Sequence, residues 1–434
     1  MSVLDIWMNG VFVGQWHQKG RTASRLVYDS SWVDHPQGRP LSLSLPMTGA
    51  GDGLRDGPVD NYFDNLLPDN EAIRRRIGAR FKAASLDAFT LLQSIGRDAA
   101  GAVQLLPEGS PPPDVKSISA RPLTEAEVAE HLRGAIMSTG DDSSDDFRFS
   151  LAGAQEKTAL LWHKGSWHVP HEATPTTHIF KLPLGLAGNT RYDLQHSVEN
   201  EWLSMELLRA MGLPIARTEM AQFEDQRVLI VERFDRAIHP DGWIVRIPHE
   251  DMLQAQGLPS HLKYESDGGP GVSDIMHLLR GSATARDDRQ TFFRALLYFW
   301  LLAATDGHAK NFSLAIAPGG TFKLAPLYDV LSAWPWVGSG AKQVHLRNVK
   351  MAMALRRKNV HYRMREIYRR HWVSVGERYI GVEPTTTILE ELPGIVEGAI
   401  TLVQKKIPEG FPAHVMDTIF DGIRGNLAHL ALQR

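Results

Sequence analysis

The sequence contains no cysteine. That excludes disulfides, thiolate metal sites and cysteine nucleophiles, and it suits a reducing compartment. Long apolar runs are also missing. The longest, residues 295–304, falls well short of the roughly 20 residues that a spanning helix needs. Neither sign of charge is in excess: 47 Lys and Arg face 50 Asp and Glu, a net of −3, so any surface for nucleic acid has to be local. The opening text MSVLDIWMNG has no basic run and places Asp5 where a signal peptide is apolar. The expectation is a cytoplasmic protein with no membrane partner. The Walker pattern GxxxxGK[ST] is absent as well.

What is present is ordinary globular text, 43% apolar and 22% charged, in a 434-residue chain long enough for two or three domains. Apolar residues flank Asn9-Gly10, a strong hairpin signal. With the strand-like RLVYDSSWV and LSLSL and the helical patterning after NYFDNLL, residues 1–108 read as a small α+β unit. The proline-rich stretch 107–117 reads as a linker, and a helix is expected over about 124–136, so residues 109–146 form a connection. Strand-like text dominates 147–235. From 236 to 434, and above all beyond Gly271, the chain reads as a helical lobe interrupted by a hairpin near 312–324.

Chemistry concentrates where the apolar run 295–304 meets TDGHAKNF. A hairpin at Pro318-Gly319-Gly320 brings its two ends together, and so carries Asn311 towards Asp329. Asp306 lies five residues before Asn311. Oxygen-only side chains of this number suit Mg²⁺ shared with phosphates, although Asp and Asn equally cap turns. Upstream, Lys181 lies inside the apolar strand HIFKLPL, where it reads either as a solvated outward residue or as a phosphate ligand. On the next helix Val198, Glu201, Met205 and Leu208 share one face, with Glu199 and Glu206 on a more polar side. A carboxylate on an apolar face needs a cation, and Lys181 is available to Glu201. The loop SLAGAQEKT has small residues that let backbone N–H groups approach an anion, and it is not GxGxxG; an ordinary hairpin turn fits it equally. The order of these parts is that of a protein-kinase-like phosphotransferase, with Asp306 as base and with Asn311 and Asp329 as metal ligands. The expected fold is therefore α+β and kinase-like.

Nearly the whole chain resembles the HipA toxins, serine/threonine protein kinases of type II toxin–antitoxin pairs. The resemblance rests on RPLSLSLP, FDNLLPDN, FTLLQSIGRDAAGAVQLLPE, FSLAGAQEKTALL, PTTHIFKLP, VERFDR, KYESDGGPG, ATDGHAKNFS and LYDVLSA. It implies an ATP loop of Ala152, Gly153, Ala154, Gln155, Glu156 and Lys157, a phosphate-binding Lys181 and an adenine-side hinge at Glu232, Arg233 and Phe234. Asp306 would be the catalytic base, and His308, Ala309, Lys310, Asn311, Tyr328 and Asp329 would complete the ATP and Mg²⁺ site. Ser150 matches a serine that these kinases autophosphorylate, which ejects the loop and inactivates the enzyme. The family also implies a HipB-like helix-turn-helix antitoxin dimer, operator DNA reached through that complex, and an aminoacyl-tRNA synthetase substrate, with glutamyl-tRNA synthetase foremost. On that resemblance, phosphorylating it would stop translation and yield dormant cells.

The basic text RRKNVHYRMREIYRRHW, residues 356–372, reads as a solvated helix face or as a phosphate contact to DNA. Two other functions stay open at this point. One is a small-molecule kinase of the aminoglycoside or choline type, which lacks the block holding FDNLLPDN. The other is a pseudokinase co-repressor, against which the set Lys181, Asp306, Asn311 and Asp329 speaks.

Overall fold

The structure is a computed structural model, and residues 2–20, 23–47, 53–137, 157–186, 193–340 and 342–431 are described. The chain divides into two compact units. The first comprises Met1–Leu182, Ala221–Leu262 and Ser313–Phe322; the second comprises Pro183–Met220, Lys263–Phe312 and Lys323–Arg434.

The first unit begins with the expected hairpin. Strands Ser2–Met8 and Val11–Lys19 pair antiparallel around Asn9 and Gly10, whose φ angles of 47° and 81° are those a tight primed turn requires. Ala23–Tyr28, Leu54–Arg55 and Val103–Pro107 complete a five-stranded sheet. One face of it is sealed by Gly57–Asp64 and Ala88–Ile95, with Trp16 stacked on Phe63 at 3.8 Å. A six-stranded sheet follows, in the order Thr218–Phe223, Gln226–Glu232, His178–Lys181, Lys157–His163, Ser166–Pro170 and Ala120–Pro122. The helix Glu125–Met137 lays Val128 and Leu132 into its core. A third sheet joins His249–Asp251 to Ser313–Ile316 and Phe322–Leu324, the latter two being the hairpin read from the sequence.

The RPLSLSLP text is absorbed into this unit by polar contacts. Ser42 and Ser44 Oγ both donate to the Gln254 carbonyl, Leu43 N–H donates to Glu250 Oε1, and Arg39 donates to the Ile316 carbonyl. A larger buried network gathers Asp98, Thr176, Arg233, Asp235, Arg236 and Arg246. The three guanidinium groups hold the Asp98 carboxyl down at about 2 against the desolvation that opposes it.

The second unit is mainly helical: Ser197–Ala210, Val272–Leu278, Ala285–Leu302, Arg369–Tyr379, Val382–Gln404 and Ala413–Ala431. It departs from the sequence reading in two places. Ser197–Ala210 has no polar face: Glu199 and Glu206 are buried along with Glu201, and Glu206 is held by Arg209 and Lys406. The 3.6-residue period ranks the faces of a helix, but it cannot reveal that neighbours cover all of them. The basic segment 356–372 is not one helix face either. It runs through the hairpin Lys350–Arg356 and Val360–Arg363 before Arg369–Tyr379 begins.

Candidate active site

The helix Ala285–Leu302 is buried along its apolar run and stops at Ala303, which takes up a left-handed conformation (φ 51°). The Ala303 and Ala304 amides bond back to the carbonyls of Trp300 and Phe299, closing the helix as a left-handed terminus does. The chain then turns at Gly307, where a Cβ would lie 2.6 Å from the Phe299 ring. Glycine is needed there because the loop lies directly on the helix that precedes it.

Within this loop the site is built largely by main-chain bonds. His308 N–H donates to the Asp306 carbonyl, Asn311 N–H to the His308 carbonyl and Ala309 N–H to the Lys263 carbonyl. Asn311 is only 4% exposed, and its amide nitrogen donates to the carbonyls of Asp306 (2.8 Å) and Asp329 (3.5 Å). Those two acceptors fix which end of the amide is nitrogen, so its oxygen points away from them. Asn311 and Asp329 are thus adjacent, and Asp329 itself has a positive φ of 60°, a conformation seldom adopted outside glycine and typical of functional loops. Tyr328 Oη donates to the Lys310 carbonyl, which ties the segment before Asp329 to the loop of Asp306. Just beyond it, Ser332 exchanges two hydrogen bonds with the Asn200 amide and donates Oγ to the Leu302 carbonyl. Asp306 differs from its neighbours: its carboxylate is 65% exposed, 3.9 Å from His308 Nε2, and it accepts Tyr264 Oη at 2.5 Å.

The donors suit a hard cation. A buried amide oxygen of fixed orientation beside an aspartate offers only part of an octahedral Mg²⁺ shell, with the rest left to phosphate oxygens and water. Among the described residues no cluster of three or more His, Cys, Asp or Glu side chains could hold a metal ion.

In the first unit, Lys181 is 6% exposed and pairs across the sheet with Leu229 on one side and Lys157 on the other. Directly opposed residues point to the same face, so the register sets two lysines side by side. Glu232, at the strand end, is exposed. Arg233 is consumed by the buried network, and its N–H donates to the Thr177 carbonyl. The Phe234 ring packs on His249. Ser150, Ala152, Gly153, Ala154, Gln155 and Glu156 lie outside the described residues. Glu201, 2% exposed, belongs to the second unit.

Sequence reasoning gave no role to Tyr264, Asn200 or Ser332. Tyr264 stands in the quoted KYESDGGPG, but nothing in its spacing from Asp306 marks it. Asn200 sits beside Glu201 in a helix whose burial on all sides left no periodic clue.

Fold and site together define an α+β protein of the kinase-like class. The chain belongs to the HipA family: residues 4–106 match the HipA N-terminal domain and residues 149–400 the HipA-like C-terminal domain. It is 35% identical over 336 residues to "Putative kinase Y4mE" of Sinorhizobium fredii, covering 76% of this chain and 77% of that protein. It is 28% identical over 317 residues to the serine/threonine-protein kinase toxin HipA of Shewanella oneidensis, covering 70% and 69%. A chain from the Shewanella oneidensis HipA, HipB and operator DNA complex superposes with a TM-score of 0.77 at 22% identity over 99% of this chain and 98% of that one, a likeness of fold. No described helix is long and apolar enough to cross a membrane.

Proposed function

We propose that the chain is an ATP-dependent serine/threonine protein kinase that acts as the toxin of a toxin–antitoxin pair. The observation that carries the reading is the loop in which an exposed Asp306 stands beside Asn311, itself hydrogen-bonded to Asp329. The Asp306 carboxylate takes the proton of a serine or threonine hydroxyl as that oxygen bonds the γ-phosphorus of ATP and ADP leaves. Lys157 and Lys181 hold phosphate oxygens, and Glu232 and Phe234 flank the adenine. Asn311 and Asp329 would hold Mg²⁺, which when bound neutralises charge on the phosphates.

The family relationship supports the remaining assignments. A HipB-like antitoxin dimer would neutralise the chain and bring it to operator DNA, as the Shewanella complex suggests by analogy. The substrate would be an aminoacyl-tRNA synthetase. Ser150 would be the autophosphorylation site, its phosphate adding roughly −1.5 to −2 charge beside the loop that meets those of ATP. The match of residues 4–106 to the HipA N-terminal domain favours a protein acceptor over a small alcohol.

The test is expression without an antitoxin, wild type against Asp306→Gln, with phosphopeptides identified by mass spectrometry. Wild type is expected to arrest growth and to phosphorylate a synthetase and Ser150, and the variant to do neither. Equal arrest by both would remove catalysis from the mechanism.

A further inference from the structure

A carboxylate that takes a proton from a bound hydroxyl works only if one of its oxygens is aimed, and an aspartate exposed at a loop tip is free to turn about its last bond. Asp306 is such a residue, 65% exposed in its side chain, yet one oxygen is engaged: Tyr264 Oη donates to Oδ1. His308 Nε2 approaches the same oxygen, at 3.9 Å, and the Tyr264 and His308 rings meet edge to face at 5.0 Å. Among the described residues nothing donates to Oδ2, which leaves that oxygen to a substrate hydroxyl.

A tyrosine can aim a carboxylate only if it is itself held. Lys263, one residue before it, accepts Ala309 N–H from the catalytic loop, and the Tyr264 carbonyl accepts the amides of Asp267 and Gly269, closing a short turn. The next residue, Glu265, clamps this turn to the strand Lys350–Arg356. Its carboxylate is only 6% exposed, and it accepts Ala354 N–H at Oε2 and two donors of Arg356, Nε and Nη2, at Oε1. Gly271 completes the clamp by its lack of a side chain, because a Cβ there would lie 2.5 Å from the Glu265 carboxyl carbon. An unbroken run of bonded groups therefore leads from Arg356 through Glu265 and Tyr264 to Asp306, all inside the second unit.

We propose that Tyr264 is the positioning residue of the Asp306 carboxylate, and that Arg356 holds it in place through Glu265. Tyr264 touches neither the phosphate nor the acceptor; it holds Oδ1 so that Oδ2 faces the hydroxyl. Removing its hydroxyl therefore leaves nucleotide binding intact and slows phosphoryl transfer. Arg356, half exposed at the start of the basic segment, reaches the base by this route among the described residues, so its loss and the loss of the tyrosine hydroxyl share one effect. The inference rests on the kinase reading above.

The experiment compares the purified wild-type chain, Tyr264→Phe, Arg356→Ala and the double variant, with Asp306→Gln as the blank. Phosphate transfer from labelled ATP into the proteins of a cell extract is measured alongside ATP affinity by titration. Tyr264→Phe is expected to lower the maximal rate by about tenfold to a hundredfold, with the ATP dissociation constant and KM for ATP within twofold of wild type. Arg356→Ala is expected to lower the rate less, and to add nothing in the Tyr264→Phe background. A Tyr264→Phe rate within twofold of wild type, or a loss that appears as weaker ATP binding, would overturn the proposal, and multiplicative losses in the double variant would overturn the part given to Arg356. If wild type transfers no phosphate, the kinase reading fails by itself. The crystal structure of Tyr264→Phe then decides the positioning claim, which survives only if the Asp306 carboxylate has turned.

Discussion

Glu250 offers a prediction that depends on burial and not on catalysis. It is fully buried in the strand His249–Asp251, with Oε1 accepting Leu43 N–H. The groups around it are Ser42, Tyr28, Tyr62 and Asp251, none of them cationic. Burial therefore dominates and pushes its carboxyl up to about 8, with the Asp251 charge adding to the effect. A proton bound more tightly in the folded state stabilises it fully below the unfolded value of 4.5, and that contribution is lost as the pH rises through 8. At about 1.4 kcal/mol for each tenfold change in proton affinity, the whole interval is worth up to about 5 kcal/mol. The half-buried histidines His131, His178 and His249, each held at about 4 by desolvation, act in the opposite sense, since their contribution is complete above 6.5 and fades as the pH falls towards 4. Between pH 6.5 and 8 they are silent, while Glu250 still costs about 2 kcal/mol. Glu250→Gln keeps the acceptor for Leu43 and cannot ionise. Thermal unfolding is the assay, and across pH 6.5–8 the variant is expected to gain on wild type by about 2 kcal/mol, roughly 4–8 °C in a unit of this size. Parallel curves for the two proteins over that range would refute the reasoning.

Two substitutions test the other buried polar groups. Asp98→Ala leaves Arg233, Arg236 and Arg246 without the carboxylate they share, and should cost about 3–5 kcal/mol in urea unfolding; a loss below about 1 kcal/mol would mean that the arginines find other acceptors. Asn311→Asp turns an oxygen towards the carbonyls of Asp306 and Asp329, where the amide nitrogen now donates, and is expected to lower phosphate transfer at least about a hundredfold with folding retained. Near-normal transfer by that variant would remove the orientation argument for Asn311.

The parts of the fold legible in the sequence are those fixed by neighbours in the chain. The Asn9-Gly10 hairpin, the helix Glu125–Met137 and the turn at Pro318–Gly320 each follow from a few adjacent residues. The hairpin of Lys350–Arg356 and Val360–Arg363 escaped because its charges gave no clean alternation, although the first strand is buried from Met351 to Leu355. Glu199 and Glu206 were misread for a related reason. Periodicity reports the contrast between faces, and a helix buried on every side offers none.

The site was legible to the extent that chemistry sits in one loop. Asp306, Asn311 and Asp329 announce themselves because polar residues directly after a buried helix need an explanation, and the structure gives it in the bonds of Asn311. What holds that loop in place could not be read, because its supports come from far along the chain. Tyr264 reaches Asp306 across 42 residues, Arg356 reaches Glu265 across 91 and Asn200 reaches Ser332 across 132. Each of these residues is unremarkable where it stands and gains meaning only from its partner. A short motif can therefore name the candidate residues of a site, while the precision with which they are held is distributed over separations that no local pattern records.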